Sequence, residues 1–213
     1  LSTASGEIYA EGVAPVADQL SPRLKVMVLD AEAAAEIGSA APKPDQWFGM
    51  LTGIARRQPV NIFIDSMFAK DAAEAASFKS LVSILVNDYK TNLYSPEFPP
   101  SDLQAAIKRV EIPDNLSLLS KGLLDSNTVS LAQAYRAHYA GGELEGIKAG
   151  DTVVILTKPL VTYSVFPRIL TLADQVASGY VTVSVIKPPI ALSWYHWLSI
   201  ALAAGLLFGL VAF

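Results

Sequence analysis

The 213-residue chain has no cysteine. That excludes disulfides, thiolate nucleophiles, Cys-ligated metals and a lipidated cysteine anchor. It leaves the compartment open, since extracytoplasmic bacterial proteins often lack cysteine too. A basic excess is also missing: 16 Lys and Arg stand against 20 Asp and Glu, for a net charge of −4. A nucleic-acid partner wants a basic face, so this balance argues against one. There is no G-x-S-x-G elbow, no P-loop and no G-x-G-x-x-G. Histidine is down to two. His138, in "YRAHYAGG", reads as a surface residue near a helix C-terminus, where partial positive charge suits the dipole. His196 sits among aromatics, where ligation of haem or a chlorin competes with plain interfacial hydrogen bonding, the stronger reading. Asn115-Leu-Ser117 matches a glycosylation sequon that carries no meaning in a bacterium. No catalytic constellation, cofactor motif or metal cluster emerges, and the expectation is a non-enzyme.

Charge is absent from one whole segment. After Lys187 none appears, and Ile190 to Phe213 is 24 residues without Asp, Glu, Lys, Arg or Pro. As a helix it would extend roughly 36 Å, against a hydrocarbon core of about 30 Å. Trp194, Tyr195, His196 and Trp197 stand where an interfacial aromatic belt would sit. Gly205-x-x-x-Gly209 would let a neighbouring helix approach closely. The expectation is a transmembrane helix over 190–213, with the bilayer and other membrane subunits, or a second copy, as partners. The chain opens at Leu1 without Met and stops inside the apolar segment, so it reads as a processed or partial piece.

Residues 1–189 hold all the charge and have the size of one globular domain. "LKVMVLD" (Leu24–Asp30), "PVNIFID" (Pro59–Asp65) and "TVVILT" (Thr152–Thr157) read as buried strands. Between them lie helical patterns. Asp45–Gln58 carries Trp47, Met50, Leu51 and Ile54 at helical spacing. Asp71–Asp88 puts Phe78, Leu81, Val82 and Leu85 on one face. A helix capped by Ser101 is expected after a Pro-rich loop, another over Ser130–Tyr139, and a last one over Pro167–Ala177. "YVTVSVI" (Tyr180–Ile186) reads as a final strand. Strands alternating with helices predict an α/β fold: a three-layer sandwich with a mostly parallel sheet, plus the C-terminal transmembrane helix. Pro188-Pro189 would be a short, stiff joint.

Asp30 and Asp65 each end an apolar strand, and Thr157-Lys158 ends the third. In open parallel sheets, ligands lie beyond the carboxyl ends of the strands. These four residues are therefore the candidate ligand site. The competing reading is helix capping with a structural ion pair, and the residue types favour it.

The order of parts resembles the CHASE-two class of bacterial extracytoplasmic sensory domains. "SPRLKVMVLD", a helix bearing Trp47, and "VNIFIDSMF" with Asp65 and Phe68 follow the family's opening pattern. "GDTVVILTKP", "VFPRILTLADQVASG", "YVTVSVIKPP" and the terminal segment follow its close. Lys158-Pro159-Leu160 replaces the family's Gly-rich turn. The resemblance implies a domain on the periplasmic side of the cytoplasmic membrane, working as a sensory input. The alternative is an accessory subunit of a multi-subunit membrane complex, respiratory, photosynthetic or motor, docked through the domain and its helix.

Overall fold

A computed structural model describes residues 20–112, 127–158, 168–183 and 185–186. The segments around Asn115, Pro167 and Pro188, and the whole of 190–213, lie outside the described residues. The same holds for Trp194, Tyr195, His196, Trp197, Gly205 and Gly209. Among the described residues no helix is long and apolar enough to cross a membrane.

The fold is α/β, with five parallel strands and five helices. In chain order these are β1 (Leu24–Val28), α1 (Ala31–Ile37), α2 (Pro44–Ala55), β2 (Asn61–Ile64), α3 (Ala72–Asn87) and β3 (Asn92–Ser95). A short 3-10 turn at Ser101–Leu103 follows, then β4 (Ile107–Val110), α4 (Leu131–Tyr139), β5 (Thr152–Leu156), α5 (Arg168–Ala177) and β6 (Val185–Ile186). The sheet order is β1-β5-β2-β3-β4-β6, with β6 antiparallel to β4 at one edge.

Alternation along each strand divides the core in two. Met27, Ile62, Ile64, Leu93, Ile107, Val153 and Ile155 face one side and pack with α1 to α4. Leu24, Val26, Val28, Phe63, Tyr94, Val154 and Leu156 face the other and pack with α5. Burial on both faces explains why β5 reads as an unbroken apolar run. The apolar stripes expected on α2 and α3 are buried as their spacing implies.

An isolated parallel bridge sets Thr128 beside Val26, on the free edge of β1. The Val26 N–H donates to the Asn127 carbonyl, and the Val129 N–H to the Val26 carbonyl, each at 2.9 Å. The chain therefore enters α4 from outside β1 and crosses to β5 in the same direction as the β1–β2 and β2–β3 connections, on the same face. All these crossovers share one hand, as right-twisted parallel strands require.

Two expectations need correction. The helix after Ser101 stops within one 3-10 turn, and Ile107–Val110 is a strand paired with β3. Leu103, Ile107 and Val110 have helical spacing, but Ile107 and Val110 enter opposite core clusters. A helix would have put all three on one face, so sheet extension overrode the local pattern. The last strand is also shorter than Tyr180–Ile186. Tyr180–Val183 are not strand, and among the described residues only Val185–Ile186 pair, with Val110 and Arg109.

Candidate ligand cleft

Three strands end at the same edge, and the described helices that follow them do not all lie on the same face. After β1 the chain turns through Asp30 into α1, and after β2 through Asp65 into α3, both on one face. After β5, which lies between them, the next described helix, α5, is on the opposite face. A crevice opens where neighbouring connections diverge in this way. A cleft of about 480 Å³ lies there, lined by Leu29, by the 40–44 loop and Trp47, by residues 66–68 with Lys70 and Glu74, and by Thr157 and Lys158.

Backbone bonding fixes its walls. Asp30 is the N-cap of α1; its Oδ1 accepts from the Ala33 N–H at 2.8 Å. Gly38 closes that helix in the left-handed region at φ 76°, a conformation other residues adopt only with strain. The loop then folds on itself through Ser39, whose Oγ donates to the Ala41 carbonyl at 2.8 Å and accepts the Ala41 N–H at 3.0 Å. Gln46 ties the start of α2 to the end of α1. Its Nε2 donates to the Ile37 carbonyl at 2.7 Å and its Oε1 accepts the Lys43 N–H at 2.8 Å. On the other wall the Met67 N–H donates to Glu97 Oε2, and the Lys70 N–H to Glu74 Oε2, both at 2.8 Å.

The floor at the sheet edge is polar. The Thr157 N–H donates to Asp65 Oδ1 at 2.9 Å, and the hydroxyls of Ser66 and Thr157 lie 2.8 Å apart. That pair has two protons and uses one between its oxygens, so one O–H is left to donate outward. Behind it the wall is aromatic. Trp47 and Phe68 line the cleft while only 4% and 8% exposed, with ring centroids 5.7 Å apart, and Phe68 meets Phe78 edge-on at 4.6 Å.

No family model, curated protein or solved structure matches this chain. The site must be read from its own atoms.

Of the four residues singled out in the sequence, Asp65 and Thr157 are hydrogen-bonded to one another. Thr157 and Lys158 line the cleft. Asp30 stands exposed at the head of α1, next to the lining residue Leu29. Sequence reasoning passed over Lys43, Ser66 and Lys70. Ser66 and Lys70 had a positional signal, since they follow the strand ending in Asp65 within one loop; Lys43 lies beyond α1, at the head of α2, and had none. Among the described residues no group of three or more His, Asp or Glu is placed to hold a metal. His138 is on α4, away from the cleft. It is half-buried with its ring against Phe48 and Tyr139. Burial first, and Arg56 second, pull its pKa below the usual value, so it favours the neutral form.

Proposed function

We propose that this chain is a non-catalytic, extracytoplasmic binding domain held at the bacterial cytoplasmic membrane by residues 190–213, and that its input is a small molecule in the switch-point cleft. The carrying observation is the cleft's place: it opens at the carboxyl ends of β1, β5 and β2, where connections leave for opposite faces of the sheet. Its hydroxyls pair with each other and its one lining carboxylate, Glu74, accepts a backbone N–H. This chemistry suits holding a molecule better than transforming it.

Strand direction orients the tether. β6 runs antiparallel to β4, so at Ile186, level with Arg109, the chain heads from the carboxyl edge of the parallel strands toward their amino-terminal edge, away from the cleft. A tether that continues in this direction into the bilayer would turn the cleft away from the membrane. The wall at Thr157–Lys158 and the tether are joined along the chain by α5 and β6, which gives a sensory domain its route inward and agrees with the CHASE-two resemblance.

The absence of cysteine makes a direct test possible. Spin labels at Lys158→Cys and, separately, Lys148→Cys mark the two edges of β5, about 16 Å apart at roughly 3.3 Å per residue. In proteoliposomes, relaxation by a lipid-soluble agent should be stronger at position 148 than at 158. The reverse order, or equal depth, would remove the proposed geometry. Gly205-x-x-x-Gly209 supports the second reading, an accessory subunit. Gly205→Leu should then weaken co-purification with partner subunits while the domain stays folded, and unchanged co-purification would sink that reading.

A further inference from the structure

We propose that the cleft selects a small amphipathic anion, a carboxylate carried on an aromatic body; this rests on the binding reading above. Charge comes first. The chain carries a net −4, yet the cleft is lined by three lysines, Lys43, Lys70 and Lys158, and by one acidic residue, Glu74. The local balance is opposite in sign to that of the chain. None of the three lysines makes an ion pair among the described residues, where Arg136 with Glu36 does so at 3.2 Å.

The neighbouring acids each accept a backbone N–H rather than the ammonium of any of these lysines. Glu74 Oε2 accepts the Lys70 N–H, Asp71 Oδ1 accepts the Glu74 N–H at 2.9 Å, and Asp65 Oδ1 accepts the Thr157 N–H. Three flexible lysines from three different loops thus line one opening that holds a single carboxylate, with none of them in an ion pair among the described residues. An anionic ligand would supply a counter-ion through charge-assisted hydrogen bonds. The spare hydroxyl proton of the Ser66–Thr157 pair gives the same anion a neutral donor at the sheet edge.

The aromatic wall decides the rest of the ligand. Bare phosphate would make no use of Trp47 and Phe68, whereas a ring would meet them in tilted or edge-on contact. A volume of about 480 Å³ falls in the range of small-molecule sites, which combine an apolar lining with a few convergent polar groups.

The test uses the full chain in phosphatidylcholine nanodiscs, with empty nanodiscs as the reference. Para-fluorophenylacetate and its neutral amide are each titrated and read by fluorine NMR relaxation, with inorganic phosphate as a competitor. The acid should bind at least about tenfold more tightly than the amide. The triple variant Lys43→Gln/Lys70→Gln/Lys158→Gln should abolish that difference. Binding of the acid should weaken as salt rises from about 20 to about 200 mM, because the lysines are exposed and screened. The three lysines are surface residues, so the variant should melt like the wild type.

Equal binding of acid and amide, no binding of the acid, or an unaffected triple variant would each overturn the inference. Phosphate displacing the acid at equal concentration would overturn its aromatic half. Failure here with the spin-label depth order intact would leave a binding domain for another ligand class; failure of the depth order would instead remove the tether geometry.

Discussion

Two glycines one turn apart on α2 allow a controlled test of how that helix is packed. A Cβ on Gly53 would lie 2.6 Å from the Ala134 carbonyl oxygen in the backbone of α4. A Cβ on Gly49 would fall on the ring of Tyr139, whose hydroxyl donates to the Asp45 carbonyl at 2.8 Å. Both replacements by alanine gain the same helix propensity, about 1 kcal/mol. They differ in what must move. Tyr139 is half-exposed, so its ring can swing into solvent at the loss of one hydrogen bond, about 1 kcal/mol. The Ala134 carbonyl belongs to a helix packed on α1 and α2, and it can retreat only if α4 shifts. Overpacking of this kind costs about 1–3 kcal/mol.

Gly49→Ala should therefore be nearly neutral, while Gly53→Ala should destabilise by up to about 2 kcal/mol after its propensity gain. Urea unfolding of the full chain, followed by far-ultraviolet circular dichroism, would measure both. An equal loss at the two positions, or a more stable Gly53→Ala, would refute backbone contact between α2 and α4 as the constraint.

Other outcomes follow from buried polar groups. Asp174 on α5 is 5% exposed and accepts the Ser21 N–H at 2.8 Å; burial raises its pKa, with the Ser21 bond partly opposing. The folded state thus holds this proton more tightly than the unfolded chain. The contribution to stability is full below the unfolded value near 3.8 and lost as pH rises through the raised folded pKa. Asp174→Asn keeps an acceptor and removes the charge, so it should match the wild type in acid and exceed it in thermal stability at neutral pH; parallel melting curves at all pH values would contradict this. Asn127 Nδ2 donates to the carbonyls of Ser21 and Leu24 at 2.8 and 2.7 Å. Asn127→Ala should lower unfolding free energy by about 2 kcal/mol in urea titrations, since both acceptors sit at the start of β1. Asp30→Ala should lower it by about 1 kcal/mol through loss of a cap, with Asp30→Asn close to neutral. At Asp65, alanine orphans the Thr157 N–H and should loosen the cleft floor, read as faster hydrogen exchange at Thr157, whereas asparagine should not.

The sequence revealed those parts of the fold that depend on local pattern. β1, β2 and β5 are buried on both faces, and continuous apolar runs flanked by turns show this directly. α2 and α3 pack one stripe each and leave polar residues outside, so their period is visible. β3 and β4 were less legible because their four residues mix polar and apolar side chains, where the equally short β2 is mostly apolar. "NLYS" is half polar, and "IKRV" carries two charged side chains between its buried ends. β4 is a strand because β3 offers it a hydrogen-bonding edge, a fact of tertiary structure that no window around Ile107 contains.

The cleft divides in the same way. Asp65 and Thr157 announced themselves as strand ends, but their mutual bond depends on β5 lying beside β2, although 91 residues separate Ser66 from Thr157 in the chain. That insertion also places β5 between β1 and β2, with its following described helix on the far face of the sheet. The charge reversal at the site follows from the same arrangement. Lys43, Lys70 and Lys158 are ordinary surface lysines in sequence, the last two a few residues past a strand end and Lys43 in the loop beyond α1. Only the order β1-β5-β2 makes those ends neighbours, and a chain with net negative charge thereby acquires a local concentration of unpaired ammonium groups. A different strand order built from the same three segments would scatter the lysines and leave no cleft to test.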